Sequence, residues 1–145
     1  MMFRKLTQNV YASPQIGLAE VEQAHEMGIT LIVNNRPEGE SDDQIAGERI
    51  AAAAQAVGIA YVAIPITHAG FAEHQVTAMA QALAQSTGPV LAYCRSGTRS
   101  TLLWALAQAK AGEDPEQLAQ QAADAGYDVS SIRQVMDMLA SAAER

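Results

Sequence analysis

The sequence predicts an α/β fold, a central and mostly parallel sheet of about five strands flanked by helices. Three observations carry this. Short runs at residues 29–33, 60–66 and 90–93 are apolar almost throughout, which marks strands covered on both faces. Longer segments of helical periodicity separate these runs, and strand–helix–strand order calls for a parallel sheet between helical layers. Alanine supplies 29 of the 145 residues, and alanine is the strongest helix former.

Taken in order, residues 3–6 and 9–12 read as two edge strands at the N-terminus. Residues 18–27 form a helix closed by Gly28. The run 29–33 is the next strand. A helix over 42–57 follows Ser41, with Gln44 at capping-box spacing, Ile45, Ile50, Ala53, Ala54 and Val57 on one face, and Gly58 as its stop. The strand 60–66 precedes a helix over 71–85, which carries Val76, Met79, Ala80 and Leu83 and ends before Gly88-Pro89. The strand 90–93 leads into a helix over 98–111. Asp114-Pro115 opens another, because proline at the first helical position loses no hydrogen bond. A last helix from about Val129 repeats Ile132, Val135, Met136, Leu139 and Ala143 along one face. No repeat, linker or boundary divides the chain, so a single domain over 1–145 is expected.

Composition narrows the function. A hydrophobic fraction of 49% against 17% charged residues excludes a disordered chain. The net charge of −7 disfavours nucleic acid and anionic membrane as partners. A single cysteine excludes an intramolecular disulfide framework and a cysteine-rich zinc site. His68 and His74 with Cys94 lack metal-ligand spacing and a fourth partner, and neither metal nor cofactor is expected. Residues 1–15 hold Arg4 and Lys5 with no apolar stretch behind them, and the uncharged run 75–94 is broken by glutamines and Gly88-Pro89. A cytoplasmic protein is expected, its oligomeric state open.

In a parallel sheet the carboxyl ends of the strands share one edge, where ligands bind. Three loops converge there: 34–41, 67–70 and 94–98. The last is Cys94-Arg95-Ser96-Gly97-Thr98-Arg99-Ser100. A helix N-terminus offers unpaired N–H groups and partial positive charge, which stabilise a thiolate. Gly97 lets the backbone curl into an anion nest with Arg95, Ser96 and Thr98 around it. Arg99 supplies a bidentate fork for an oxyanion, and Ser100 is placed to donate to the sulfur. The set describes an activated nucleophile with a built-in anion cradle, against the plain alternative of a small buried cysteine at a strand end. Arg36 reads either as a second anion ligand or as a turn residue before Pro37.

The cysteine loop resembles those of cysteine phosphatases and rhodaneses. Together with Phe3-Arg4-Lys5-Leu6-Thr7, Ser13-Pro14-Gln15, the segment from Val33 through Asn34-Asn35-Arg36-Pro37 to Glu40, and Ile64-Pro65-Ile66, it resembles the beta-lactamase-hydrolase-like, phosphatase-like domain family over nearly the whole chain. The resemblance implies a dual-specificity-phosphatase-like fold, Cys94 as nucleophile, Arg99 as oxyanion ligand, bacterial origin, and a link to sulfide and persulfide metabolism. Two features depart from the phosphatase pattern. Four residues, not five, separate Cys94 from Arg99, as in rhodaneses, and the tighter nest suits a single sulfur atom. No aspartate follows Ile64-Pro65-Ile66, where phosphatases carry their general acid. His68 stands there, and Glu38, Glu40, Asp42 or Asp43 could reach in from the first loop. The expected function is therefore a cysteine-dependent, phosphatase-like hydrolase acting on a small anionic phosphoester. A rhodanese-like sulfurtransferase carrying a Cys94 persulfide between thiosulfate or glutathione persulfide and a thiol acceptor is nearly level with it, and a non-catalytic anion-binding module stands third.

Overall fold

The pleat divides the strand side chains between two cores. The computed structural model describes residues 2–144. In chain order its elements are β1 (Arg4–Thr7), β2 (Val10–Ser13), α1 (Leu18–Glu26), β3 (Leu31–Asn34), α2 (Gly47–Ala56), β4 (Ala60–Ala63), α3 (Glu73–Gln85), β5 (Val90–Tyr93), α4 (Thr98–Lys110), α5 (Pro115–Asp124), a 3-10 turn (Ser130–Ile132) and α6 (Arg133–Ala143). On β5, Val90 and Ala92 face one core while Leu91 and Tyr93 face the other, as the two-residue strand period requires. On β3, Val33 and Ile32 divide in the same way. The core containing Ile32, Leu91 and Tyr93 also takes Val21 and Ala24 of α1 and Ile50 and Ala54 of α2. The opposite core takes α3 to α6, with the fully buried Trp104 among its members.

The strand order is β1-β2-β5-β3-β4. Only β1 is antiparallel to its neighbour; β2–β5, β5–β3 and β3–β4 are parallel. This is the expected five-stranded, mostly parallel sheet between helical layers. Met1 and Arg145, the ends of the expected 1–145 domain, lie outside the described residues.

Three expectations need correction. Residues 9–12 do not form an edge strand, because β2 is paired on both sides, with β1 and with β5. Nor is the strand in 60–66 covered on both faces. β4 is the far edge, with Ala60 and Ala63 exposed. The third concerns α2, which begins at Gly47 and not at residue 42. The Ser41 and Gln44 side chains that read as a capping box are spent inside the preceding loop. Ser41 Oγ donates to Asp43 Oδ1 (2.7 Å), while Gln44 accepts from the Glu40 N–H (2.9 Å) and donates to Pro37 O (2.9 Å). Glu38 reaches forward instead, accepting from the Gly47 N–H at 3.0 Å. Delaying the helix leaves residues 35–46 as a long loop over the carboxyl edge of the sheet.

Among the described residues, no helix is long and apolar enough to cross a membrane. Ile32 has no exposed surface and sits on a central strand. Ile32→Ala should destabilise the protein by about 2–5 kcal/mol. Urea unfolding would show this as a lowered midpoint with an unchanged slope.

Candidate active site

The ladder between β2 and β5 continues past the strand ends and fixes the start of the cysteine loop. The Cys94 N–H donates to Ser13 O (3.3 Å) and the Gln15 N–H to Arg95 O (3.2 Å). At Gly97 the chain turns through φ +95°, a conformation that a side chain would strain. There is also no room for one, since a Cβ would collide with the Tyr127 hydroxyl. The turn brings the Gly97 N–H back to the Cys94 Sγ at 3.1 Å, and α4 begins at the next residue. Gly97 O accepts from both the N–H (3.0 Å) and the Oγ1 (2.9 Å) of Thr101. The buried sulfur therefore lies at the head of a helix with a backbone donor aimed at it.

Arg99 leaves from the first turn of α4 and crosses to the other two loops. Its Nη1 donates to Glu40 Oε2 (2.7 Å) and to Ile66 O (2.8 Å), and its Nη2 donates to Glu40 Oε1 (2.9 Å). A guanidinium has five N–H donors, so among the described residues Nε–H and one Nη2–H remain. These two are parallel and lie on one edge, the geometry that binds an oxyanion bidentately. The Glu40 carboxylate raises the Arg99 pKa above its ordinary value; burial opposes this, and the nearby Cys94 adds to it.

Glu40 is itself held from two sides. Arg36 Nε donates to its Oε1 at 2.9 Å. Hydrogen bonding from Arg99, with a further contribution from Arg36, lowers its pKa to about 2 against the opposing effect of burial. Arg36 is buried, and two more of its five donors go to Gln15 Oε1 (2.9 Å) and Ser41 Oγ (3.1 Å). Asn34 Oδ1 accepts from its backbone N–H at 2.9 Å. Arg36 thus shares the Glu40 carboxylate with Arg99.

The other expected residues are placed as follows. Ser100 is buried, and its hydroxyl donates to Asn35 Oδ1 at 2.7 Å. A hydroxyl has one proton, so Ser100 does not donate to the sulfur in this arrangement; it ties α4 to the end of β3. Ser96 and Thr98 are exposed and their hydroxyls bond each other at 3.0 Å. Arg95 is exposed on the loop. His68 is exposed two residues beyond Ile66, whose carbonyl Arg99 grips. Of the first-loop carboxylates, Glu38 caps α2, Glu40 is ionised, and the Ser41 hydroxyl holds Asp43 below its usual carboxylate value. His25 is exposed in the last turn of α1 and His74 in the first turn of α3. Among the described residues, no three His, Cys, Asp or Glu side chains come together as a metal site. Two grooves run along α3, and neither is lined by Cys94.

A family model for the beta-lactamase hydrolase-like protein, phosphatase-like domain, matches residues 2–111. The chain belongs to this family. A beta-lactamase hydrolase-like protein of Xylella fastidiosa is 37% identical over 81 residues, covering 56% of this chain and 19% of the relative. The chain thus spans about a fifth of that relative's length. A "putative phosphatase" of Neisseria meningitidis superposes with a TM-score of 0.83 at 33% identity, covering 96% of this chain and 99% of its own. The fold is also shared with PTPMT1 in complex with PI(5)P, with a TM-score of 0.74 at 10% identity over 99% of each chain. These neighbours bear out the dual-specificity-phosphatase-like fold that the motifs implied.

Two features escaped sequence reasoning. Glu40 entered it only as a candidate acid, whereas it anchors Arg99; the Arg36–Glu40 spacing within a loop gave no hint of a partner on α4. Tyr127 lies against the cysteine loop from beyond the family match, and nothing in the local sequence signals that contact.

The Glu40 carboxylate makes stability depend on pH. Its folded pKa of about 2 lies below the ordinary 4.5, so its contribution is complete above about 4.5 and is lost as pH falls through about 2. Each tenfold displacement is worth about 1.4 kcal/mol. Water at the rim screens part of this, leaving about 2 kcal/mol. Glu40→Gln should lower the urea midpoint at pH 7 and reduce the loss of stability between pH 5 and 2.

Proposed function

We propose that the chain is one phosphatase-like domain over 1–145. It acts as a cysteine-dependent hydrolase on a small anionic phosphoester, in the cytoplasm and without metal or cofactor. The observation that carries this reading is the free edge of Arg99, its other donors committed to Glu40 and Ile66, beside a sulfur that already receives a backbone N–H. Supporting it are the family membership and a fold neighbour that holds a phosphoinositide.

In the proposed reaction the Cys94 thiolate attacks phosphorus. The S–P bond forms as the bond from phosphorus to the leaving oxygen breaks, and that oxygen takes a proton. Arg99 Nε–H and Nη2–H hold two of the phosphoryl oxygens, and the loop N–H groups of residues 95–99 the rest, as charge builds on them. Water then attacks phosphorus, phosphate leaves, and the thiolate returns. His68 is the proposed proton donor, since Glu40 is ionised and Glu38 caps a helix. Ser96, Thr98 and Arg95 line the mouth, and Ser100 positions the loop through Asn35.

One observation favours a second reading. The carboxylate nearest Arg99 is ionised and cannot supply a proton. Sulfur transfer needs none. Cys94 would attack the sulfane sulfur of thiosulfate and expel sulfite, and an acceptor thiolate would then take the sulfur from the Cys94 persulfide. The four-residue spacing to Arg99 fits this chemistry.

Two assays on one preparation decide between these readings. For the hydrolase, a phosphoaryl ester should be turned over by wild type and not by Cys94→Ser, and Arg99→Lys should lower kcat about 10²–10³-fold. Turnover that survives Cys94→Ser would sink the reading. For sulfur transfer, intact-mass measurement after brief exposure to thiosulfate should show one added sulfur on wild type only.

A further inference from the structure

The two ends of the Ser96–Gly97 peptide face different parts of the molecule. Its N–H meets the Cys94 sulfur at 3.1 Å. Its carbonyl, Ser96 O, accepts from the Tyr127 hydroxyl at 3.2 Å. A trans peptide is planar, with C=O and N–H pointing in opposite directions, so fixing the carbonyl fixes the N–H. Glycine at 97 tolerates both signs of φ, so the backbone at this residue does not by itself forbid a peptide turned with its carbonyl towards the sulfur. That orientation would put partial negative charge where an anion must sit.

Tyr127 is firmly seated for this role. It follows Gly126, whose φ of +94° closes α5, and its N–H donates to Ala122 O at 2.9 Å. The Arg4 guanidinium, from β1, lies 5.6 Å from the centre of the ring and donates to Ala125 O at 3.0 Å. A Cβ at position 126 would come within 2.6 Å of Arg4 Nη1, so the turn is closely fitted to that side chain. Burial keeps the phenol protonated by pushing its pKa above the ordinary value; Arg4 opposes this and the nearby Cys94 reinforces it. Cys94 is faced by Arg99 from α4, by Tyr127 from the turn after α5, and by the uncharged Ser13 backbone from β2.

We propose that Tyr127 is a positioning residue. Its hydroxyl holds the Ser96–Gly97 peptide in the orientation that gives the thiolate its backbone donor and completes the anion nest. The proposal rests on the reading of Cys94 as the nucleophile, but on neither the phosphoester nor the sulfur substrate. It also extends the working site beyond residue 111, where the family match ends.

The test is alkylation of Cys94 by iodoacetamide between pH 5 and 9, comparing wild type, Tyr127→Phe and Cys94→Ser. Tyr127→Phe keeps the ring and removes only the hydroxyl. We expect its reaction at pH 7 to be about threefold to tenfold slower, the loss of one hydrogen bond, with the profile displaced to higher pH and the melting temperature nearly unchanged. A profile identical to wild type would overturn the proposal. A second measurement needs no variant: the Gly97 amide resonance of wild type should titrate together with the alkylation profile. If it stays fixed across that range, its N–H is not on the sulfur and the proposal fails. Normal Cys94 alkylation without ester turnover would count against the hydrolase reading alone.

Discussion

One carboxylate between two guanidinium groups organises this molecule's functional edge. Glu40 receives donors from Arg36 and Arg99, and each of the three side chains is largely withdrawn from water. Burying a charge is tolerable only when it is paired and hydrogen-bonded. Here the pairing is uneven: two positive groups share one negative one, and the unit of positive charge left over lies beside Cys94, where it offsets the charge of a thiolate. The same arrangement fixes which edge of Arg99 stays open, because Glu40 and Ile66 O occupy the other donors.

The cost of this arrangement falls on local structure. Glu40 reaches Arg99 only because α2 starts late, and α2 starts late because Ser41, Gln44 and Glu38 are used to shape the loop. A helix beginning at residue 42 would have been locally reasonable. It would also have shortened the loop that carries Glu40.

Much of the fold was legible in sequence because its signals are short-range. Residues 90–93 are apolar and bounded by Pro89 and the cysteine loop, and β5 covers those same residues. Asp114-Pro115 capped α5 as expected, with Asp114 Oδ1 accepting from the Glu116 N–H. What failed was information held by tertiary partners. Whether a four-residue strand is interior or edge depends on its neighbours, and β2 and β4 exchanged those expected roles. The cysteine loop was legible as a motif, yet the destinations of its side chains were not. Ser100 prefers a buried amide to the sulfur, and Tyr127 arrives from a turn about thirty residues away in sequence.

Both chemistries considered for Cys94 make the same demands on the protein up to the point where a group leaves. Each needs a thiolate, donors converging on an anion, and exclusion of competing cations. They part at the leaving atom: an alkoxide must be protonated, while sulfite or a thiolate departs as it is. The ionisation of Glu40 is therefore informative twice over. It holds Arg99 in place, and it leaves the carboxyl group with no proton to give. Within this loop, holding the arginine and donating the proton are competing uses of the same side chain. The geometry commits Glu40 to the first, so any proton for a phosphoester must come from another group on the rim, with His68 the nearest in sequence to the gripped Ile66 carbonyl.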